Sequence, residues 1–238
     1  MKSKEEIFAR AVILFCLYER CGVEQDTFNG VKYTKAQREE HRKTIFRWLD
    51  LKKYIGYLTE NEKYLFSLPV DHADKRAIIE LSYQYESIRP LLWAIGMVDS
   101  LLDYSEYDEE AYNDILQIGA AHDRTKIVDK CSLRTRDEII IETHKSMLWH
   151  WRAIESRSMI EQDIDLTLTK MFGIEIEDAL KQIQFTQTTP KDFLVNVQPV
   201  YKLNGDSQWK LKTIALWRHH AFEWIVGEDD WESISADT

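Results

Sequence analysis

The amino-acid sequence predicts a mainly α-helical protein, a single domain with a helical bundle-like fold and at most one small β-hairpin, near residues 193–203. Its 238 residues include only eight glycines and four prolines, so turns are few and long elements are favoured over a many-stranded sandwich. The hydrophobic fraction of 44% and the aromatic fraction of 12% suffice to fill a core. No repeat, linker or shift in composition marks a boundary within residues 1–238.

The first two helices are placed by apolar spacing and by residues typical of helix ends. A helix over residues 5–20 has a largely buried apolar side and ends near Gly22. A turn-prone stretch follows around residues 29–30. Thr34 is the expected N-cap of a second helix that runs to about Lys53, because its hydroxyl can accept a backbone N–H that the first turn leaves unpaired.

The next two helices are predicted from a capping pattern and a periodic one. Thr59 and Glu62 have the spacing of a capping box, in which each side chain pairs with the other residue's backbone N–H. They begin a short helix that stops before Pro69. Asp71 is the expected cap of the following helix, whose apolar residues recur at helical spacing as far as Ile95.

A proline interrupts that helical pattern. Pro90 lacks a backbone donor and its ring clashes with the preceding turn, so a kink or break is expected near residues 87–89. Another helix is predicted near residues 109–118.

The C-terminal half of the chain contains three more predicted helices. They cover residues 135–155, residues 164–182, and a last segment that Ser207 can cap and that ends near Gly227. Between the second and the third, alternating apolar residues predict the small hairpin near residues 193–203.

Charge and cysteine content indicate a cytoplasmic protein without a membrane segment. The three cysteines form no C-x-x-C pair, and their odd number argues against a disulfide framework. The apolar run over residues 8–18 is interrupted by Arg10 and is too short to span a bilayer, so a buried first helix is expected. The oligomeric state is left open.

Charged side chains are clustered along the chain, whose formal net charge is −10. This charge repels a phosphate backbone, and the basic patch over residues 32–57 is typical of a solvated helix face, so nucleic acid is an unlikely partner. Acidic side chains concentrate over residues 103–114 and again over residues 228–237. Two such clusters suit a basic protein partner, and they equally suit solubility.

The last predicted helix carries an arginine on its apolar side. An unpaired cation there would cost several kcal/mol, so Arg218 requires either an internal carboxylate or a ligand anion. Glu86, on the helix that contains Pro90, is the expected carboxylate.

A histidine and a glutamate on the same helix could be two ligands of a metal ion. His219 and Glu223 are four residues apart and can converge, but no third ligand follows by spacing, and His144 and His150 would have to arrive from another helix. No metal and no cofactor are therefore predicted, and exposed surface histidines are the favoured interpretation.

Four separated sequence blocks form a distinctive set: residues 83–96 (YQYESIRPLLWAIG), the helix start at 136–139, residues 192–201 (DFLVNVQPVY) and residues 214–224 (IALWRHHAFEW). In combination these blocks resemble those of one bacterial family, the domain of unknown function 4272. The resemblance extends from about residue 58 to the C-terminus. It implies a helical, single-domain cytoplasmic protein and no particular reaction.

The resemblance leaves the first 57 residues outside the family-like region 58–238, so an N-terminal addition is an alternative to one undivided unit. The family-like polar and aromatic positions, together with one carboxylate on the last helix, define a candidate polar cluster. Its members are Glu86, Arg218, His219, Glu223, Trp93, Trp224 and Trp231.

Two functions are compatible with these observations. The sequence lacks G-x-S-x-G, a P-loop and G-x-G-x-x-G, so the first expectation is a non-enzymatic, soluble helical binding or accessory module that acts through a protein partner. The alternative is a small-ligand-binding protein or an enzyme with a polar pocket around Glu86, Arg218 and His219.

Overall fold

A computed structural model of the protein describes residues 1–25, 27–28, 31–154 and 192–234. Over these ranges the chain is mainly helical, which confirms the predicted fold class. The helices are α1 (Lys4–Gly22), α2 (Lys35–Leu51), α3 (Glu60–Ser67), α4 (Lys75–Ser82), α5 (Ile88–Ala94), α6 (Arg124–Val128), α7 (Arg136–Ile154) and α8 (Gly205–Val226). Short 3-10 turns cover Ile55–Tyr57, Tyr83–Ser87, Val200–Lys202 and Trp231–Ser233. The predicted helix at 164–182 lies outside the described residues.

Two of the predicted caps are confirmed and two are wrong. Thr34 and Thr59 each form the reciprocal capping box at the start of α2 and α3. Asp74, rather than Asp71, caps α4, and Asn204, rather than Ser207, caps α8. The reason for the first error is that Asp71 has a left-handed backbone (φ 69°), whereas an N-cap needs extended geometry.

The break before Pro90 is confirmed, and it consists of a 3-10 turn between two α-helices. α4 ends at Ser82, a 3-10 turn follows over Tyr83–Ser87, and α5 starts at Ile88. Pro90 is thus the third residue of α5, where a backbone N–H has no acceptor within the helix. Pro90 therefore costs α5 no internal hydrogen bond.

The helix predicted over residues 109–118 is wrong, because the chain forms only turns there. Leu116 N–H donates to Tyr112 C=O at 2.8 Å, and the left-handed backbone of Gln117 (φ 52°) then ends the turn. A short helix that the pattern did not indicate, α6, begins just afterwards with Asp123 as its cap.

The predicted hairpin is confirmed as a pair of two-residue strands, β3 (Leu194–Val195) and β4 (Gln198–Pro199). Asn196 and Val197 both have positive φ, as a two-residue hairpin turn of this hand requires. A second antiparallel pair of the same size, β1 (Thr27–Phe28) and β2 (Val31–Lys32), lies where the sequence predicts a turn.

The main core surrounds α1. Every residue over 7–17 is buried, and α1 contacts α2, α4, α5 and α6 on different sides. The same core includes the C-terminal half of α8, so the first helix shares one interior with the region after residue 57. A smaller core joins α7, the β3–β4 hairpin and the N-terminal half of α8. In the described ranges, no helix has both the length and the apolar character needed to cross a membrane.

Candidate functional site

The predicted ion pair between Arg218 and Glu86 forms inside the protein. Arg218 Nη2 lies 3.0 Å from Glu86 Oε2, and each side chain is only 3% exposed. Because α8 carries the arginine and the 3-10 turn before α5 carries the glutamate, the pair links two elements of the main core. Burial raises the pKa of Glu86, and the nearby Arg218 guanidinium partly opposes that shift.

The same pair also holds a stretch of loop backbone. Arg218 Nη1 donates to the carbonyls of Leu102 at 2.7 Å and Asp103 at 3.0 Å, and Nη2 donates to that of Glu106 at 3.4 Å. Glu86 Oε1 accepts the backbone N–H of Asp108 at 2.7 Å. The arginine and its partner therefore fix four successive points of one loop.

A second arginine, the partly buried Arg89, fixes the residues that follow. Arg89 Nε donates to Asp108 Oδ2 at 2.8 Å, and the Tyr112 hydroxyl donates to the same carboxylate. Asp108 is thus buried, whereas its acidic neighbours in sequence face solvent. We call residues 102–114 the acidic loop, and its exposed carboxylates are those of Asp103, Glu106, Glu109, Glu110 and Asp114.

The acidic loop forms one wall of a cleft of about 530 Å³, whose other walls are α1 and α2; we call it the acidic cleft. Its floor is apolar and includes Phe15, Ile45 and Trp48. Three carboxylates lie around it, those of Glu19, Glu109 and Glu110. The Tyr85 hydroxyl donates to the backbone carbonyl of Glu110, which ties the loop to the cleft wall. An apolar floor with an acidic rim can bind a cationic group attached to an apolar body.

The two histidines of α8 are buried, so their predicted place on an exposed polar surface is wrong. His150 Nδ1 lies 3.2 Å from His219 Nδ1, and His219 Nε2 lies 3.3 Å from Glu223 Oε1. Both contacts are satisfied if His150 donates to His219 and His219 donates to Glu223, and the second of these hydrogen bonds lowers the pKa of Glu223. No three potential metal ligands come together among the described side chains.

The tryptophans of the candidate cluster lie in two further places. Trp231 packs edge-on against Trp224 at 5.5 Å and against His220 at 4.4 Å, and its indole N–H donates to Gln84 Oε1 at 3.1 Å. Trp93 instead contacts Phe222 and the Arg134 guanidinium.

The seven candidate residues are therefore distributed among separate groups of contacts. Glu86 and Arg218 form one group, and His219 and Glu223 form another. Trp224 and Trp231 form a third, and Trp93 lies apart from them with Phe222 and Arg134.

Within the part of the chain that the structure describes, two other buried ion pairs were missed by sequence reasoning. Arg10 Nη1 lies 2.5 Å from Glu62 Oε1, with both side chains buried. An arginine inside the apolar run of α1 is the same signal that identified Arg218, so this pair could have been found. Arg152 pairs with Asp192 at 2.6 Å and joins α7 to the hairpin. This pair depends on where the segment before the hairpin meets α7, which no local pattern indicates.

Burial raises the pKa of all three cysteine thiols, which disfavours the thiolate at neutral pH. Cys16 and Cys21 are free and buried, and burial raises the pKa of Cys21 to about 12. A thiol of this kind stays protonated, and only the thiolate is a strong nucleophile.

Several cations of the basic patch of α2 are paired with neighbouring carboxylates. Arg38 and Lys35 lie 2.9 and 3.0 Å from Asp71 oxygens, and Arg42 lies 2.7 Å from Glu39. Lys52 donates to the carbonyls of Ala120 and His122 rather than pointing away from the protein.

Comparison with known proteins identifies a family and no closer relative. The family model described as "Domain of unknown function (DUF4272)" matches residues 1–168, more than two thirds of the chain. The matched range includes the first 57 residues and the blocks at 83–96 and 136–139, and it ends before the blocks at 192–201 and 214–224. Searches of curated proteins and of solved structures gave no significant match. The length of the family match shows that the chain belongs to the DUF4272 family.

Proposed function

We propose that the protein is a non-enzymatic binding module that holds a basic segment of a partner protein in the acidic cleft. The observation that carries this proposal is the acidic loop, whose exposed carboxylates stand on a backbone fixed from beneath by Arg218, Glu86 and Arg89. A loop that needs little further ordering when it binds retains more of its interaction energy as affinity.

The chemistry of the cleft defines the segment that fits it. Lysine or arginine side chains would meet Glu19, Glu109 and Glu110 at the rim, and a leucine or an aromatic side chain would cover the floor near Trp48. Charge pairs at the rim favour fast association and orientation, while the apolar floor provides the larger part of the affinity.

Two observations argue against the alternative, a polar pocket around Glu86, Arg218 and His219. Both terminal nitrogens of Arg218 already donate to protein oxygens, so the guanidinium is not available to grip a ligand anion. The imidazole of His219 is likewise engaged at both ring nitrogens. The pairing of Lys35, Arg38 and Arg42 with carboxylates reduces the positive charge that α2 would offer to a nucleic acid. The free thiols support a reducing, cytoplasmic setting.

The test is a titration of the full chain against a fluorescently labelled synthetic peptide that alternates lysine and leucine, read by anisotropy. The variant Glu109→Lys/Glu110→Lys should weaken binding about tenfold or more, equivalent to about 1.4 kcal/mol. The matched control, Glu228→Lys/Asp229→Lys, changes the same net charge in the other acidic cluster and should leave binding within about twofold of wild type.

Two results would contradict the proposal. Equal weakening in the two variants would mean that the peptide senses only net charge. Absence of binding to the wild-type chain would remove the cleft as a site for basic segments. Melting temperatures of both variants establish that they are folded.

A further inference from the structure

One tryptophan of the protein differs from the other seven in its exposure. All eight lie in the described residues, and Trp209 is the one exposed member, with 58% of its surface accessible. Ile79, on a different helix, is 54% exposed. The two side chains line the same groove, of about 640 Å³, between α4 and α8. Tryptophan is enriched among the residues that dominate the energetics of protein interfaces.

The groove exists because α4 and α8 are separated by the turn between α4 and α5. Both helices pack against the 3-10 turn Tyr83–Ser87, and Tyr83 lines the groove between them. On α8 the lining residues Trp209, Thr213 and Leu216 follow helical spacing, so they form a stripe along two turns, roughly 11 Å long.

The charges around the groove are opposite in sign to those of the protein as a whole. Lys75, Arg76 and Lys212 line it, against one carboxylate, that of Glu80. Arg76 pairs with Glu80 at 2.9 Å, and both side chains are exposed. A local excess of positive charge in a chain of net charge −10 selects an acidic occupant at this place.

We propose that this surface, the tryptophan groove, binds an amphipathic helix of a partner protein that carries acidic residues beside its apolar face. The walls are helices whose backbone N–H and C=O groups are already paired along the helix, so an added strand would find no ladder to join. Recognition through side chains suits apolar residues at positions i, i+3 or i+4, and i+7 of the incoming helix.

Charge also distinguishes a partner from a second copy of this chain. In a symmetric dimer built on the groove, Lys75, Arg76 and Lys212 of one copy would face the same residues of the other. Like charges in such positions disfavour the contact, whereas glutamates beside the apolar face of a partner helix would pair with them.

The test uses the full chain and a labelled 18-residue helical peptide with leucines at i, i+3, i+4 and i+7 and glutamates on the flanks. A matched peptide replaces the glutamates with lysines. We expect the acidic peptide to bind to this groove at least about tenfold more tightly than the basic peptide does. The substitution Trp209→Ala should weaken binding of the acidic peptide about tenfold. Lys212→Glu should weaken it similarly.

The matched control is Tyr64→Ala, which removes an aromatic side chain that is 65% exposed on α3, outside the groove. This variant should bind the acidic peptide as wild type does. Equal binding by wild type and Trp209→Ala, or no binding by wild type, would overturn the proposal.

Sedimentation of both proteins provides the other decisive result, because self-association that Trp209→Ala abolishes would make the groove a dimer interface. The alternating lysine and leucine peptide that probes the acidic cleft should be unaffected by Trp209→Ala, so the two proposals can fail separately.

Discussion

The acidic loop and α4 both present charged side chains to solvent, but they are held in place in different ways. The acidic loop contains no helix or strand, and its position depends on contacts with the buried side chains of Arg218 and Glu86 and with the partly buried Arg89. α4 presents Lys75 and Arg76 from a capped helix whose backbone bonds are internal. One binding surface should therefore fail when the interior is changed, and the other only when its own surface residues are changed.

The largest effect is expected from Arg218→Met. This substitution leaves the Glu86 carboxylate buried without its cation and deprives three loop carbonyls of their donor. Breaking a buried pair in this way costs about 3–5 kcal/mol, which urea denaturation would measure. The variant should also lose binding of the basic peptide and keep binding of the acidic one, at a temperature where it remains folded.

The double variant Glu86→Gln/Arg218→Met provides the control, because it removes both charges. It should be more stable than Arg218→Met alone, since no uncompensated carboxylate remains. If the double variant is no more stable, the lost contacts to the loop carbonyls, rather than the charge pair, dominate the effect.

The second-largest effect is expected in the pH dependence of the free energy of unfolding, through His220 on α8, which lies outside the acidic loop. Burial lowers the pKa of His220 from 6.5 to about 4, with smaller contributions from His219 and Arg10. Below pH 6.5 the unfolded chain binds a proton at this position and the folded chain does not, so the free energy of unfolding should fall as the pH falls toward 4. The full difference corresponds to about 3 kcal/mol.

His220→Phe removes this titration and preserves an aromatic ring against Trp231. Its free energy of unfolding should decline less steeply than that of wild type between pH 6.5 and pH 4. Parallel curves for the two proteins would show that other groups determine the acid sensitivity.

A smaller loss is expected for Asp108→Asn. The substitution leaves unchanged the backbone N–H of residue 108, which donates to Glu86. Arg89 and Tyr112, however, lose the charged side-chain acceptor that they share. Hydrogen bonds to charged groups contribute roughly 1.5–3 kcal/mol, so a loss of about 2 kcal/mol in urea denaturation is expected. Faster proteolysis within residues 102–114 should accompany it, whereas Asp114→Asn, at an exposed position of the same loop, should change neither measurement.

The smallest effect on stability is expected for Trp209→Ala. Substitution at so exposed a position should change the free energy of unfolding by no more than about 0.5 kcal/mol. A loss of several kcal/mol would show that Trp209 supports the fold, and it would remove the contrast between the two surfaces.

Features fixed by neighbouring residues were predictable from the sequence. The caps at Thr34 and Thr59 follow from side chains three residues apart, and the break before Pro90 follows from one residue's covalent structure. The pairing of Arg218 with Glu86 was also predictable, because a cation on an apolar helical side has few ways to be satisfied.

Apart from that ion pair, features that depend on how separate elements pack against one another were not predictable from the sequence. A helical wheel treats one side of α8 as facing water, but α7 packs against this helix as well as α5 and the 3-10 turn, so His219 and His220 are buried. The pair of Arg152 with Asp192 depends on where the hairpin meets α7, which no local pattern indicates. The groove beside Trp209 likewise depends on the separation of two helices.

The central position of α1 has a consequence for how the chain folds during synthesis. This helix is made before the others described here, and the C-terminal half of α8 that helps to enclose it is made about 200 residues later. At the usual elongation rate of roughly 5–20 residues per second, the apolar surface of α1 waits on the order of 10 s or more for that cover. Such a nascent chain presents a hydrophobic helix to chaperones throughout its translation, and early termination of synthesis would release an aggregation-prone fragment.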